Sequence, residues 1–218
     1  MFDSVTVIGA GRVGSAVSAR LRERGVAVES DGGLRLLCVP DGAIAEAART
    51  IPVGPWVAHV SGATPLAALD PHERRFSVHP LQTFTTRRGA EQLDGAWAAV
   101  TGESDEARER GLWLAEALGL RPFELADEAR PLYHAAAAIA SNYLVTLYRA
   151  ASRLFDDAGA PPAALVPLMR RTIENGFELT GPIARGDWAT VDRHLEAIRA
   201  REPGLEGMYT ALAEVTRP

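Results

Sequence analysis

Ser4-Val5-Thr6-Val7-Ile8-Gly9-Ala10-Gly11-Arg12-Val13-Gly14 is a β-prone run that ends in a Gly-x-Gly-x-x-Gly string, and Val17 and Leu21 continue from it at helical spacing. A strand, a glycine-rich turn and a helix in that order form the phosphate-binding unit of a doubly wound α/β sheet. Each glycine has a steric reason. Gly9 allows the tight turn, Gly11 lets backbone amides approach a pyrophosphate, and Gly14 lets the helix pack on the strand. The helix N-terminus then faces the anion. Gly9, Ala10, Gly11, Arg12, Val13 and Gly14 are therefore candidate cofactor-binding residues. A glycine-rich turn without a ligand is the competing account, and the strand and helix on either side argue against it.

Outward from this unit, short β-rich runs alternate with helical stretches. Strands are expected at 4–8, 26–30, 34–39, 56–60, 76–79, 96–100 and 121–124, with helices at 14–24, 41–50 and 104–118. From Asp127 onward the strand signals stop, and helical patterns cover 130–158, 161–179, 188–200 and 202–216. The expected architecture is α/β, a Rossmann-type mostly parallel sheet over residues 1–125 followed by an all-helical domain over 126–218. Asp187 precedes the third of these helices as an N-cap.

The sheet is expected to be truncated after its second strand. Asp31 lies about 20 residues beyond the loop, where a carboxylate bonds a ribose hydroxyl and repels a 2′-phosphate, a slight lean toward NAD over NADP. Only Gly32 and Gly33 separate it from the next strand, where a complete half would insert a helix. A turn residue beside two glycines is an equal reading of Asp31. Val39 and Pro40, at the end of that next strand, would lie beside the same crevice.

Composition narrows the partners. The 218 residues are 47% hydrophobic, enough for a sizeable core, and the net charge of -5 argues against nucleic acid or an anionic membrane surface. A small molecule is the expected partner. No apolar run spans a bilayer, and nothing at the N-terminus reads as a signal peptide, so the expected location is cytoplasmic. The lone Cys38, among Leu36, Leu37 and Val39, reads as a buried thiol. All 23 basic side chains are arginine, which excludes lysine acid or Schiff-base chemistry.

His59-Val60-Ser61-Gly62-Ala63, His79-Pro80-Leu81-Gln82-Thr83-Phe84, Tyr133-His134-Ala135-Ala136-Ala137, Ser141-Asn142-Tyr143 and the stretch from Leu179 to Asp187 follow one another in a recognisable order. Together they resemble the Rossmann-like family called domain of unknown function 2520, itself similar to ketopantoate reductase, pyrroline-5-carboxylate reductase and the 6-phosphogluconate dehydrogenase superfamily. The resemblance implies an NAD(P)-dependent oxidoreductase acting on a small 2-oxo acid, ketopantoate-like, or a cyclic imine, and a homodimer formed through the helical domain. Those relatives commonly use a lysine on the first helix of the second domain, which this chain lacks.

Such a reduction needs a hydride, a proton donor and an anchor for a substrate carboxylate. His134 is the leading donor, because Ala138, Ser141 and Asn142 follow it at helical offsets of four, seven and eight. Ser141 is a candidate for substrate and Asn142 for orienting it; a histidine that merely bonds across the domain junction, beside alanines that permit close helix packing, accounts for His134 equally, and a structural amide for Asn142. His79, before Pro80 at a strand end, is the second donor, with a rigid turn as its alternative. Ser61 is a candidate for the cofactor, or a turn former beside Gly62. Arg185 has the planar fork that suits a carboxylate. The histidines show no ligand-like spacing, so no metal is expected. The competing function is a cofactor-depleted paralogue that keeps the fold for ligand binding or a dimeric interaction, and the short connection after Asp31 is its main support.

Overall fold

A computed structural model describes residues 1–217. Its seven strands are β1 (Ser4–Ile8), β2 (Ala27–Val28), β3 (Leu34–Leu37), β4 (Trp56–His59), β5 (Arg75–Leu81), β6 (Trp97–Gly102) and β7 (Arg121–Glu124). They form one sheet in the order β2-β1-β3-β4-β5-β6-β7, parallel everywhere except between β5 and β6. β3 and β4 are buried along nearly their whole length, as central parallel strands covered on both faces require. Leu36, Ala58, Phe76 and Val100 pack with Val17 and Leu21 of α1 (Arg12–Glu23) and Leu114 of α3 (Asp105–Ala117). Leu37 and Val57 turn the other way, onto Ile44 and Ala48 at α2 (Ile44–Arg49) and onto Leu66 and Leu69.

The second strand is shorter than its sequence suggests. Only Ala27 and Val28 pair with β1, because residues 29–33 turn across β1 to begin β3 on its far side. Gly32 makes this crossing: its amide donates to Thr6 Oγ1 at 2.9 Å, and a Cβ there would lie 2.7 Å from the Val5 backbone. The sheet is thus truncated where the glycine pair predicts.

The chain divides into two compact units, Met1–Ile139 and the residues from Ala140 on. The first includes α4 (Arg130–Ala138), so the division falls after the last strand by one further helix. The helix expected over 130–158 is not continuous. A π-helical turn, Ile139–Tyr143, separates α4 from α5 (Leu144–Asp157). Its hydrogen bonds step five residues instead of four, so offsets counted from His134 at α-helical spacing do not carry through to Ser141 and Asn142. The helix expected over 161–179 shortens to α6 (Leu165–Glu174), entered by a 3-10 turn.

Beyond α6 the second unit contains α7 (Trp188–Arg201) and α8 (Glu206–Val215). Its buried cluster is small: Ala150, Ile198 and Leu205, with Leu154, Met208 and Tyr209 against them. No helix among the described residues is long and apolar enough to cross a membrane.

Candidate functional site

The three loop glycines are held for three different reasons. Gly9 has φ +113° and sits so close to the end of β3 that a Cβ would fall 2.5 Å from the Cys38 carbonyl oxygen. Gly14 presses α1 against the turn. Gly11 has nothing within 4 Å of where a Cβ would be, so the space in front of the helix is open. Gly11 caps α1 with no side chain, whereas Ser104 caps α3 and Asp187 caps α7. No acid lies in the first turn of α1, and Arg12 adds a positive charge to its positive end. The first-turn amides are therefore free for an anion. Val39 follows directly behind Gly9, with its nitrogen 3.2 Å from that same Cβ position, and Pro40 leads into a 3-10 turn at Asp41. A cavity of about 340 Å³ opens beside the loop, where Ala10, Ser15, Ser18 and Arg22 line it.

Asp31 is exposed on the crossing over β1, and its carboxylate is bound by Arg35. Arg35 also donates to Thr6 Oγ1 at 2.7 Å and to the Gly32 carbonyl at 2.5 Å. A ribose hydroxyl would share Asp31 with that guanidinium.

The C-terminal ends of β4 and β5 and the start of α4 assemble a polar cluster. His79 Nδ1 lies 2.7 Å from the Tyr133 hydroxyl, and the imidazole rests on Gly62, where a Cβ would be 2.7 Å from its Cε1. The His134 ring is edge-on to His79 at 6.3 Å between centroids, and Phe123 meets Tyr133 the same way at 6.0 Å. Burial, then the neighbouring His134 and Arg130, pushes the His79 pKa down to about 4. Asp41 acts weakly in the opposite direction. Burial pushes the Tyr133 phenol up to about 12. Both groups are neutral between these limits.

Beneath them Arg130 is completely buried. It bonds Asp127 at 2.5 Å, the Ser61 carbonyl at 3.0 Å and the Ser77 hydroxyl, while Asp127 accepts from the Leu66 amide at 3.1 Å. The Ser61 hydroxyl accepts from the amides of Ala63 and Thr64 and donates to Thr64 Oγ1 at 2.9 Å. It is occupied in forming the turn. His59 is wholly buried, and its Nδ1 accepts from the Ser61 amide at 3.2 Å. Burial lowers its pKa to about 3. Cys38 is buried and its thiol is pushed up to about 12, so it is unreactive. Ser141, Asn142 and Arg185 belong to the second unit, where Asn142 and Arg185 are exposed and Ser141 is half-buried. No group of three or more histidine, cysteine or acidic side chains is placed to hold a metal among the described residues.

Residues 96–216, more than half of the chain, match the family model described as Domain of unknown function (DUF2520). The chain belongs to that family. The DUF2520 match contains Tyr133, His134, Asn142 and Arg185 and begins after the glycine loop. Solved structures cover both parts. A Bacteroides fragilis protein, assigned provisionally as an NADP oxidoreductase, aligns at TM-score 0.82 and 20% identity over 98% of this chain and 97% of its own. A Thermotoga maritima protein aligns at 0.78 and 22%, over 97% and 96%. An NADH-preferring ketol-acid reductoisomerase from an uncultured archaean aligns at 0.64 and 18%, over 99% and 78%. At these identities the likeness is one of fold. No curated protein matches the sequence.

Read from sequence, Tyr133, Arg130 and Asp127 carry no assigned role at the site. Tyr133 meets its partner across 54 positions, a pairing no periodicity reports. The Asp127–Arg130 spacing of three was visible, but its burial was not.

Proposed function

We propose that this DUF2520 protein is an NAD(P)-dependent oxidoreductase that reduces a small 2-oxo acid or a cyclic imine. One observation supports it most. Within the first unit, an uncapped helix N-terminus behind an open Gly11 and a neutral His79–Tyr133 pair both stand at the C-terminal edge of the parallel strands. Ligands of open α/β sheets bind at that edge.

The residues fit a dinucleotide. The amides around Gly11 to Val13 would hold the pyrophosphate, with Val39 and Pro40 along the ribose, and Asp31 is the candidate for the adenosine hydroxyls. A bound reduced nicotinamide would supply the hydride. The chain itself must supply the proton, and the His79–Tyr133–His134 cluster is where it has one to give. The wholly buried Arg130 holds the Ser61 turn and α4 in register beneath that cluster.

The second unit supports a homodimer. Val166, Leu168 and Ile173 of α6 and Leu144, Val145 and Leu147 of α5 are exposed, while few residues of this unit are buried. A second copy covering these helices would remove that apolar surface from water.

Calorimetry with NADH and NADPH tests the reading. Binding of either in the micromolar range supports it, and no binding of both at millimolar concentration ends it. The second outcome would favour a cofactor-depleted binding protein, a reading supported by the short crossing at 29–33 and the Asp31–Arg35 pair.

A further inference from the structure

We propose that Tyr133 is the proton donor of this site and that His79 is a positioning residue that keeps the phenolic hydrogen free for the substrate. The inference rests on the oxidoreductase reading and narrows it to one atom. His79 Nδ1 and the Tyr133 oxygen share one hydrogen bond of 2.7 Å, which can run in either direction. If the phenol donates, its only hydrogen is consumed by the imidazole and the pair has nothing to give from that oxygen. If Nδ1–H donates, the Tyr133 oxygen accepts, and its own hydrogen points elsewhere.

The proposal requires the second direction, and two features suit Tyr133 to give up the proton. The imidazole is seated on Gly62, where its ring occupies the space a Cβ would take, and this keeps Nδ1 beside the Tyr133 oxygen. The buried guanidinium of Arg130, one helical turn before Tyr133, opposes a positive charge on His79, so the imidazole stays neutral, and favours the negative charge that the phenol oxygen would carry once its hydrogen has left. The pair therefore has one proton on each partner throughout the neutral range, with the phenol protonated before turnover. In the reaction, the substrate carbon gains the hydride from reduced nicotinamide while the C=O or C=N π pair moves to the heteroatom. That atom takes the Tyr133 hydrogen as the O–H bond breaks. The phenolate, held by His79 Nδ1–H and close to Arg130, recovers a proton from solvent.

His134 then serves a different purpose. It is exposed on the next position of α4, its ring beside that of His79, and suits contact with a substrate oxygen.

The direction of the bond is measurable without cofactor or substrate. In the full chain labelled with 15N-histidine at pH 7, His79 is expected in the Nδ1–H tautomer, and Tyr133→Phe is expected to return it toward the commoner Nε2–H form. A wild-type His79 protonated at Nε2 overturns the proposal whatever calorimetry shows for NADH and NADPH, so the two failures are distinct. With the cofactor that binds and pyruvate as the carbonyl probe, Tyr133→Phe is expected to lower kcat about 100-fold with unchanged cofactor Kd. A Tyr133→Phe chain that keeps wild-type turnover overturns it too.

Discussion

A Cβ on Gly14 would lie 1.9 Å from the carbonyl oxygen of Gly9, whereas a Cβ on Gly11 would meet nothing within 4 Å. Two glycines of one motif therefore separate folding from binding. Gly14→Ala must push α1 off the end of β1, a backbone clash that costs more than the about 1–3 kcal/mol of ordinary overpacking. We expect a large fall in Tm or insoluble protein. Gly11→Ala should leave Tm within about 2 °C of wild type and weaken NADH or NADPH about 10-fold or more, because the methyl group stands where the phosphate amides are approached. Thermal melts and calorimetry on the two variants check both halves. Equal Tm losses would show that Gly11 is structural.

Arg130 gives a prediction about stability. Its guanidinium is buried with Asp127, and three segments, the Ser61 turn, β5 and the start of α4, converge on it. Arg130→Met keeps most of the volume but leaves Asp127, Ser77 and the Ser61 carbonyl short of a donor. Breaking one side of such a pair costs about 3–5 kcal/mol. Urea unfolding should show that loss. Replacing Asp127 and Arg130 together by Asn and Met should cost less than Arg130→Met alone, since no unpaired charge is then left behind.

The glycine loop was legible because Gly9 and Gly14 answer to contacts within the turn and with the neighbouring strand, and Gly11 to open space, all inside one strand–turn–helix unit. The truncation after β2 was legible for the same reason: Gly32 and Gly33 leave no room for a helix. The length of β2 was not, because 26–30 is β-prone and only the position of Thr6 and Val5 beneath Gly32 decides where pairing stops. The π turn at Ile139–Tyr143 has no sequence signature in an alanine-rich helix, so the expected helix ran straight through it. Ser61 and His79 each carried two readings. For Ser61 the turn accounts for every bond of the hydroxyl; for His79 the partner that gives it chemistry, Tyr133, comes from another element and could not be read from spacing.

The exposed apolar side chains of α6 predict assembly. Leu168 is 61% exposed and Ile173 52%. Isolated exposed apolar residues are ordinary, but these lie on one short helix whose neighbour α5 exposes Leu144, Val145 and Leu147 as well. Sedimentation velocity on the wild-type chain should give a dimer at micromolar concentration. Leu168→Glu with Ile173→Glu should shift it to monomer while the far-UV spectrum is kept. A wild-type chain that sediments as a monomer at 50 times that concentration would remove the homodimer from the functional reading.

Acid should weaken the fold before most carboxylates titrate. His59 and His79 have native pKa values of about 3 and about 4, both below the ordinary histidine value of 6.5 and lowered first by burial. A lowered histidine is neutral in the folded chain and takes up a proton more readily when unfolded. The unfolded state therefore binds more protons between pH 6.5 and the native values, and stability rises with pH across that window. The contribution is complete above pH 6.5, is lost as pH falls toward 4 for His79 and 3 for His59, and is on the order of 3 kcal/mol for His79 and about 5 kcal/mol for His59. Protonating His59 would also cost a bond, since Nδ1 accepts from the Ser61 amide and cannot do so once protonated. The acids with lowered values, among them Asp94 beside Arg20, lose their contribution only as pH falls through their ordinary carboxylate values and act later. Urea midpoints at pH 7, 5.5 and 4.5 should fall steadily. His59→Asn, which keeps an acceptor for Ser61 and removes the titration, should flatten that slope by about one proton. A wild-type midpoint that stays constant from pH 7 to 4.5 would show that neither imidazole is held neutral by the fold.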